Sequence, residues 1–324
     1  MAKQTKQKSK GYFFTSPTSV QHLLGIEGLE VEQIQRFLDE GKKFKKAIEQ
    51  GTKKFQSLQG KTGVSLFYEA STRTRGSFEM AVKRLSGDFI HMNADSSSSV
   101  SKGETLVDTA RNLEAMNPDF LILRHSSSGA SQLLANHLRI PVINAGDGFH
   151  EHPTQALLDA MTIQEQFGSL KGLKVTIVGD IAHSRVARSN FHLLQKMGAK
   201  VTACGPPTLL PPYLEELGVK TSFHLVDAIS DADVVMMLRI QFERQNDKQI
   251  PSNAEYFRFF GLHKESVKSL KKTAIIMHPG PLNRGVEISP EVADGKNSVI
   301  LNQVTNGVAI RMAVLHLLAG GGKR

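Results

Sequence analysis

The stretch Val64-Ser65-Leu66-Phe67-Tyr68-Glu69-Ala70-Ser71-Thr72-Arg73-Thr74-Arg75 decides the fold class of this chain. Its first five residues form a short apolar run, which is typical of a buried β-strand. Residues 73–85 follow with apolar side chains at helical spacing, so they predict an amphipathic helix directly after the strand. The buried face of that helix would consist of Phe78, Ala81, Val82 and Leu85. A strand that turns straight into a helix is the building unit of α/β folds.

The same alternation continues on both sides of this unit. The pattern predicts a helix at 30–50, with Ile34, Phe37 and Leu38 at helical spacing. Two further strands are predicted at 119–123 and 141–144, and helices at 104–116 and 130–138. Alternating strands and helices favour a parallel sheet covered by helices.

The pattern restarts after His150, which indicates a second domain. Helices are predicted at 152–167 and 184–197, and strands at 174–178, 200–203, 233–238 and 274–277. Residues 304–318 are apolar at helical spacing and precede three glycines, so they predict a terminal helix. We therefore predict an α/β protein with two doubly wound parallel-sheet domains and a C-terminal helix that packs across the domain junction. The expected segments are a flexible basic tail (1–18), a first domain (19–150), a second domain (151–303) and the helix returning to the first domain (304–324).

Composition narrows the class of protein. The chain has 324 residues, of which 40% are hydrophobic, enough for two cores of ordinary size. Its longest apolar runs are strand-sized, so no membrane-spanning helix is expected. The start is polar and lysine-rich without an export signal, which favours a cytoplasmic protein. The single cysteine, Cys204, permits neither an internal disulfide nor a cysteine-based zinc site.

The formal net charge of +9 indicates an anionic partner, which could be nucleic acid, a membrane surface or a small substrate. Four of the excess cations lie in the tail, at Lys3, Lys6, Lys8 and Lys10. The chain has no Trp and four Tyr, and no basic stripe is interleaved with aromatic residues that could stack on bases. We therefore expect no nucleic-acid partner and no membrane partner.

Ser71-Thr72-Arg73-Thr74-Arg75 has the chemistry of an anion site. Backbone N–H groups at a helix N-terminus are unsatisfied, and the helix dipole favours negative charge there. Three hydroxyls and two guanidiniums add further donors, and a phosphate would fit them. Alternatively, Ser71 or Thr72 is an ordinary helix cap and both arginines are solvated.

Two further arginines follow predicted strands of the second domain. Arg185 opens the helix after Val178-Gly179-Asp180, and Arg239 with Gln241 follows the strand at 233–238. The pattern G-x-G-x-x-G is missing after the strand at 174–178, where one glycine, Gly179, is followed by Asp-Ile-Ala-His-Ser-Arg, and this disfavours a dinucleotide. Two arginines at strand ends suit a ligand with two carboxylates, whereas each alone could form a surface salt bridge.

Three more segments carry groups that could bind a small substrate. His152-Pro153-Thr154-Gln155 opens a helix with an imidazole and an amide, although a structural histidine is an alternative. In His278-Pro279-Gly280-Pro281, the prolines leave backbone carbonyls as the polar groups, unless the segment is a plain turn. The segment 96–104 contains Lys102 and could be a lid over an anion or a flexible linker.

Taken together, these motifs resemble the aspartate carbamoyltransferase family over nearly the whole chain after about residue 12. The matching motifs are Ser-Thr-Arg-Thr-Arg at 71–75, Ser-Lys-Gly-Glu-Thr at 101–105, His-Pro-Thr-Gln at 152–155, His-Ser-Arg at 183–185, Leu-Arg-Ile-Gln at 238–241 and His-Pro-Gly-Pro at 278–281. The first motif and His-Pro-x-Gln are shared by carbamoyltransferases generally, and the others resemble the aspartate enzymes in particular. Ornithine enzymes typically carry His-Cys-Leu-Pro in the last loop, which this chain lacks.

The resemblance implies an enzyme that transfers the carbamoyl group of carbamoyl phosphate to the α-amine of L-aspartate. The products would be N-carbamoyl-L-aspartate and phosphate, in de novo pyrimidine and UMP biosynthesis. It implies no cofactor and no metal. Residues 19–150 would bind carbamoyl phosphate and 151–303 aspartate. The active sites would lie between the subunits of a homotrimer, with which a regulatory chain or a dihydroorotase could associate.

The resemblance also implies a role for each site residue. The phosphate of carbamoyl phosphate would be held by Ser71, Thr72, Arg73 and Thr74. Its carbonyl oxygen would face Thr74, Arg124 and His152. Its NH2 group would be bound by Gln155 and the backbone carbonyls of Pro279 and Gly280. The carboxylates of aspartate would bind Arg185, Arg239 and Gln241. Lys102 would reach both substrates, and Ser98 and Lys102 would come from a neighbouring subunit.

Direct acyl transfer of this kind needs groups that orient two anions and stabilise a tetrahedral oxyanion, and it needs no protein nucleophile. The departing phosphate is a candidate acceptor of the amine proton, with His152 as a donor to the carbonyl oxygen. Three alternatives remain open: a carbamoyltransferase for another amino acid such as ornithine, a basic nucleic-acid-binding protein, and a non-catalytic scaffold subunit.

Overall fold

The computed structural model describes residues 20–93, 103–241 and 249–320, and the strands in these ranges form two parallel sheets. The first sheet has the order β2-β1-β3-β4. It contains β1 (Thr62–Phe67), β2 (Asp88–Asn93), β3 (Phe120–His125) and β4 (Val142–Asp147). The second sheet has the order β7-β6-β5-β8-β9. It contains β5 (Lys174–Val178), β6 (Lys200–Cys204), β7 (Lys220–Ser222), β8 (Val234–Met237) and β9 (Ile275–Met277).

Ten α-helices connect and cover these strands in the described part of the chain. The first five are α1 (Val31–Glu49), α2 (Thr72–Arg84), α3 (Leu106–Ala115), α4 (Ala130–Ala135) and α5 (Pro153–Phe167). The others are α6 (Arg185–Lys196), α7 (Leu225–Ser230), α8 (Asn253–Phe260), α9 (Pro290–Ala293) and α10 (Ile300–Leu315). Short 3₁₀ turns lie at Pro207–Leu209 and Ser266–Ser269, and a π-helical turn at His316–Gly320 follows α10.

Both faces of each sheet are buried. Successive side chains of a strand point to opposite faces, so neighbouring residues of one strand pack in different clusters. In β1, Val64 and Leu66 pack in a cluster with residues of α3 and α4, whereas Phe67 packs in the cluster that contains α2 and α10. In β8, Met236 belongs to the cluster with α6, and Met237 to the cluster with α7. Helices therefore lie on both faces of each sheet, which confirms the predicted fold class.

The largest apolar cluster extends across both sheets. It includes Phe78 of α2, Leu157 of α5, Ile310 of α10 and Met236 of β8. Helix α10 packs against α1, α2 and α5 and also contacts β9. It begins at Ile300, earlier than the predicted start at 304. The domain limits 1–18, 19–150, 151–303 and 304–324 stay predictions.

Strands β2 and β7 were missing from the prediction, and both are edge strands. Each has one neighbouring strand, so part of its surface faces solvent and polar residues interrupt its apolar pattern. Ile90 is 52% exposed and lies next to His91. Cys204, at the end of β6, is buried. Within the described ranges, no helix has the length and apolarity needed to cross a membrane.

The order of strands reverses once in each sheet. In the first sheet, the chain passes from β1 to β2 toward one edge and from β3 to β4 toward the other. In the second sheet, it passes from β5 through β6 to β7 toward one edge and from β8 to β9 toward the other. In open parallel sheets, such reversal points leave a crevice at the carboxyl ends of the strands, where ligands bind. The predicted site residues at the carboxyl ends of β1, β3, β5 and β8, or directly after them, therefore lie at the two expected crevices.

Candidate active site

A cavity of about 900 Å³ lies where the carboxyl ends of the two sheets meet. Twelve of the predicted site residues line it: Ser71, Thr72, Arg73, Thr74, Arg124, His152, Gln155, Arg185, Arg239, Gln241, Pro279 and Gly280. The other two, Ser98 and Lys102, lie outside the described residues. Arg75, the second arginine of the predicted anion site, does not line the cavity, and neither does Arg188 on α6. Arg188 points outward because it lies on the exposed side of α6.

The N-terminus of α2 is open toward the cavity. Ser71 is the N-cap residue with extended backbone (φ −158°, ψ 91°), but its side chain makes no capping hydrogen bond. The first turn of α2 contains no acidic residue. The amide groups of this turn and the positive end of the helix dipole therefore remain available for an anion.

Arg73 extends from α2 toward the loop that follows β9. Gly280 of that loop has φ +68°, and a Cβ at this position would lie 3.3 Å from Nε of Arg73. A side chain here would strain the backbone and crowd the guanidinium. Burial and then the nearby charge of Arg239 lower the pKa of Arg73. Cations on the two sides of the cavity thus repel each other, and an anion bound between them would relieve this repulsion.

Glu69 is a site residue that sequence reasoning missed. It follows β1, and its Oε2 lies 2.5 Å from Nη2 of Arg185 and 3.4 Å from Nη2 of Arg124. Arg124 also donates from Nη1 to the carbonyl oxygen of Ala145 at 3.0 Å. Gly146, with φ +115°, lets both guanidiniums approach, because a Cβ there would lie 2.9 Å from Nε of Arg185. One carboxylate therefore joins Arg124 in β3 of the first sheet to Arg185 at the start of α6, the helix that follows β5 of the second sheet.

Arg239 and Gln241 form one unit after β8. Nη2 of Arg239 donates to Oε1 of Gln241 at 3.0 Å, and the backbone N–H of Gln241 donates to Oδ2 of Asp180 at 3.1 Å. Asp180 is fully buried and also accepts from the backbone of His183 at 3.2 Å. Nη1 of Arg185, on the same side, is buried without a hydrogen-bond partner among the described residues. These guanidiniums can therefore receive carboxylates.

His152 and Gln155 are presented by the first turn of α5. The backbone N–H of His152 donates to Oγ of Ser189 at 2.8 Å, and Ser189 donates to Oε2 of Glu151 at 2.7 Å. Glu151 in turn accepts from the backbone N–H of Ile26 at 2.8 Å. This buried network fixes the start of α5, and with it the imidazole and the amide at the cavity wall.

Arg311 is the second cavity residue that sequence reasoning missed. It lies on α10, lines the cavity and is 4% exposed. Its Nη1 donates to Oγ of Ser77 and to the carbonyl of Gly307, both at 3.0 Å, and its guanidinium lies 5.1 Å from the Phe78 ring centroid. Burial lowers the pKa of Arg311 to about 10, opposed by the charge of Asp159. Arg311 therefore stays cationic at neutral pH.

The charge of the cavity is unbalanced. The described residues that line it include five arginines and a single carboxylate, Glu69. Such a surplus in a partly enclosed space attracts anionic ligands and holds more than one negative group.

One group of possible metal ligands occurs in the described residues, at Glu27, Glu151 and His192, whose ligand atoms lie within 4.8 Å of one another. None of the three lines the cavity. Glu151 already accepts hydrogen bonds from Ile26, Glu27 and Ser189. The predictions of a metal-free and cofactor-free reaction stay predictions.

The fold and the cavity together define a class of protein, an α/β protein with a cationic cavity, suited to small anions, between two parallel sheets. Comparison with known proteins narrows this class. The family model "Aspartate/ornithine carbamoyltransferase, carbamoyl-P binding domain" matches residues 21–165, and the model "Aspartate/ornithine carbamoyltransferase, Asp/Orn binding domain" matches residues 171–318. This chain belongs to the aspartate/ornithine carbamoyltransferase family, as its motifs predicted.

Individual relatives agree with this assignment. The aspartate carbamoyltransferase catalytic subunit of Syntrophus aciditrophicus (strain SB) is 59% identical over 92% of this chain and 97% of its own length. An ornithine carbamoyltransferase structure from Pyrococcus furiosus has a TM-score of 0.84 at 34% identity, covering 94% of this chain and 98% of that one. The aspartate transcarbamoylase of Trypanosoma cruzi in complex with carbamoyl phosphate and aspartate has a TM-score of 0.84 at 28% identity, covering 92% and 96%.

Proposed function

We propose that this protein transfers the carbamoyl group of carbamoyl phosphate to the α-amine of L-aspartate, giving N-carbamoyl-L-aspartate and phosphate. The observation that carries the proposal is that one cavity holds two separate cationic sites. One lies at the open N-terminus of α2, and the other contains Arg185 and Arg239 at the ends of second-sheet strands. A phosphate and a dicarboxylate would each find a matching set of donors.

Carbamoyl phosphate would bind on the side of the first sheet. Its phosphate would accept hydrogen bonds from Ser71, Thr72, Arg73 and Thr74. Its carbonyl oxygen would face Thr74, Arg124 and His152, and its NH2 group would donate to Gln155 and the carbonyls of Pro279 and Gly280. Neither of these two carbonyls accepts a hydrogen bond from the described part of the chain.

Aspartate would bind on the side of the second sheet, with its two carboxylates on Arg185, Arg239 and Gln241. The similarity to an ornithine carbamoyltransferase makes ornithine the second candidate acceptor. The charge of the cavity favours aspartate, because five arginines would repel the ammonium group of ornithine and Glu69 is already paired with arginines.

The residues of the cavity would act by orientation and by stabilising charge. The uncharged amine of aspartate attacks the carbamoyl carbon, and negative charge develops on the carbonyl oxygen. Arg124, Thr74 and His152 would donate to this oxyanion, while Arg73 stabilises the departing phosphate. Binding both anions next to each other in one cavity lowers the entropic cost of bringing the amine and the carbamoyl carbon together. The departing phosphate is the candidate acceptor for the amine proton.

We also propose a homotrimer in which Ser98 and Lys102 complete the site of a neighbouring subunit. Strand β2 runs along the edge of the first sheet and leads into the segment that carries both residues. Ile90 and Met92 of β2 are 52% and 37% exposed, and Met80 of α2 is 48% exposed. Exposed apolar side chains on a sheet edge favour burial against another chain.

We also propose a cytoplasmic location for this protein. Residues 19–150 would bind carbamoyl phosphate, and residues 151–303 would bind aspartate.

An acceptor screen tests the reaction. The purified protein would be incubated with carbamoyl phosphate and, separately, with aspartate, ornithine and other amines, and the products would be identified by mass spectrometry. We expect phosphate release and a carbamoylated product with aspartate only. Carbamoylation of ornithine in preference to aspartate would overturn the assignment of the acceptor, and no product with any amine would overturn the activity.

A further inference from the structure

The buried carboxylate of Asp159 accepts hydrogen bonds from three side-chain amides. Its Oδ1 accepts from Nε2 of Gln155 at 2.9 Å and from Nε2 of Gln303 at 2.8 Å. Its Oδ2 accepts from Nδ2 of Asn190 at 2.9 Å. Asp159 is fully buried in α5, and its partners come from α5, α6 and α10. An ionised carboxylate can only accept, so each of these amides must turn its NH2 group toward Asp159.

This constraint fixes which atom Gln155 presents to the cavity. A side-chain amide is planar, and its oxygen and nitrogen point in different directions. Because the nitrogen of Gln155 is held by Asp159, its oxygen is turned away from Asp159, and Gln155 lines the cavity. Gln155 is thus held as an acceptor. An unrestrained amide could rotate and present its NH2 group, which would repel the NH2 group of a ligand.

The second connection reaches the loop after β9. Gln303 gives its nitrogen to Asp159, and its Oε1 accepts from the backbone N–H of His278 at 2.9 Å. Nδ1 of His278 accepts from the N–H of Gly280 at 2.8 Å. Nε2 of His278 therefore carries the proton and donates to Glu287 at 3.1 Å. The backbone carbonyls at Pro279 and Gly280 belong to this restrained loop.

We propose that Asp159 is a positioning residue that orients the acceptors for the NH2 group of carbamoyl phosphate, through Gln155 on one side and through Gln303 and His278 on the other. This inference rests on the proposed function, which assigns the NH2 group to Gln155 and the loop. Asp159 itself does not line the cavity, so it acts through these groups. Burial raises the pKa of Asp159 to about 6. The ionised carboxylate of Asp159 therefore destabilises the folded protein at neutral pH, and such a cost is common for residues that support a functional site.

The test compares two ligands of nearly equal shape. Acetyl phosphate has a methyl group where carbamoyl phosphate has NH2, so its binding needs none of the oriented acceptors. Dissociation constants of both would be measured by calorimetry in the absence of aspartate, for the wild-type protein and for Asp159→Leu. Leucine resembles aspartate in shape and cannot accept a hydrogen bond. We expect Asp159→Leu to weaken binding of carbamoyl phosphate about tenfold and of acetyl phosphate less than about twofold.

Three further variants separate orientation from general damage. Asp159→Asn keeps one oxygen toward Gln155 and Gln303, so it should recover most of the affinity that Asp159→Leu loses. Asn190→Leu removes a donor from the same carboxylate without contacting either acceptor, and should keep both dissociation constants within about twofold. Should Asp159→Leu fail to fold, Gln303→Leu interrupts the connection to the loop and should weaken carbamoyl phosphate alone.

The outcomes distinguish the inference from the function on which it rests. Equal weakening of both ligands, or none, in Asp159→Leu or Gln303→Leu would overturn the positioning role and leave the proposed reaction intact. A wild-type protein that binds both ligands equally would instead overturn the assignment of the NH2 site, and the inference with it.

Discussion

Oε2 of Glu69 lies 2.5 Å from Nη2 of Arg185, and this ion pair joins the end of β1 in the first sheet to the start of α6, the helix between β5 and β6 of the second sheet. Arg185 is almost fully buried, so it depends on this carboxylate for neutralisation. The proposed aspartate site thus contains an arginine whose position and charge are set by a residue of the other sheet.

Replacing Glu69 by Gln should therefore impair use of aspartate. The amide cannot neutralise Arg185 and Arg124, so both guanidiniums would shift apart and lose their alignment. We expect the KM for aspartate to rise about tenfold, since a charged hydrogen bond contributes about 1.5–3 kcal/mol. Steady-state kinetics would measure this. Glu79→Gln, which removes an exposed ion pair with Lys83 on α2, is the matched control and should change KM less than about twofold. Similar kinetics for both variants would refute the role of Glu69.

Arg239→Ala should affect aspartate more than carbamoyl phosphate. Arg239 is held by Gln241 and lies on the proposed aspartate side of the cavity. Loss of its charged hydrogen bonds should raise the KM for aspartate by about tenfold or more, while binding of carbamoyl phosphate persists. Arg188→Ala removes an exposed arginine outside the cavity and serves as the control. An aspartate dependence equal to that of the control would remove Arg239 from the site.

Mixed trimers would test whether Lys102 serves a neighbouring subunit. Lys102→Ala and Arg73→Ala should each be nearly inactive alone, because each spoils every site of its own trimer. In a mixed trimer, one interface places both substitutions in the same site. Another interface then forms a site with both wild-type residues, Arg73 from one subunit and Lys102 from its neighbour. Random reassembly makes about three quarters of the trimers mixed, each with about one intact site in three, so activity should recover to about a quarter of wild type. Native electrophoresis must first show that subunits exchanged. Exchange without recovery would contradict the shared site.

The stability of the protein should depend on pH through Asp159. Its pKa in the folded protein is about 6, above the value of 3.8 for a free carboxyl group, because burial disfavours the charge. The folded state therefore binds this proton more tightly than the unfolded state. The resulting stabilisation is full below about pH 4 and is lost as the pH rises through about 6, by about 3 kcal/mol.

Asp159→Asn lacks this titration. The difference in apparent unfolding midpoint between wild type and variant, at fixed protein concentration, should therefore favour the wild type more at about pH 4 than at about pH 7. Thermal unfolding at both values would measure it. A difference that stays constant with pH would mean that Asp159 is not the titrating group.

Local chemistry explains which parts of the site were predictable. Arg185 and Arg239 follow buried apolar strands of the same sheet, and the carboxyl ends of parallel strands meet at one edge of a sheet, so the convergence of these two arginines follows from the sequence. The same rule places Arg73 at the corresponding edge of the first sheet. Glu69 lies in the same stretch as Arg73, but its pairing with Arg185 depends on how the two sheets approach each other. Such a contact has no local pattern.

Arg311 and Asp159 were missed for a related reason. Each lies within an apolar helix, and only tertiary packing places Arg311 at the cavity and amides around Asp159. The edge strand β2 was missed because partial exposure removes its apolar run.

The solitary thiol of Cys204 gives this protein a practical property. Burial raises the pKa of that thiol to about 12, and the side chain is fully covered, so alkylating dyes at neutral pH should leave it unmodified. Cysteines introduced at exposed positions of the helices that cover the two sheets could then be labelled selectively without removing the native one. A donor and acceptor fluorophore placed in this way would report the distance between the sheets as each ligand binds, in a protein whose interior remains of natural sequence.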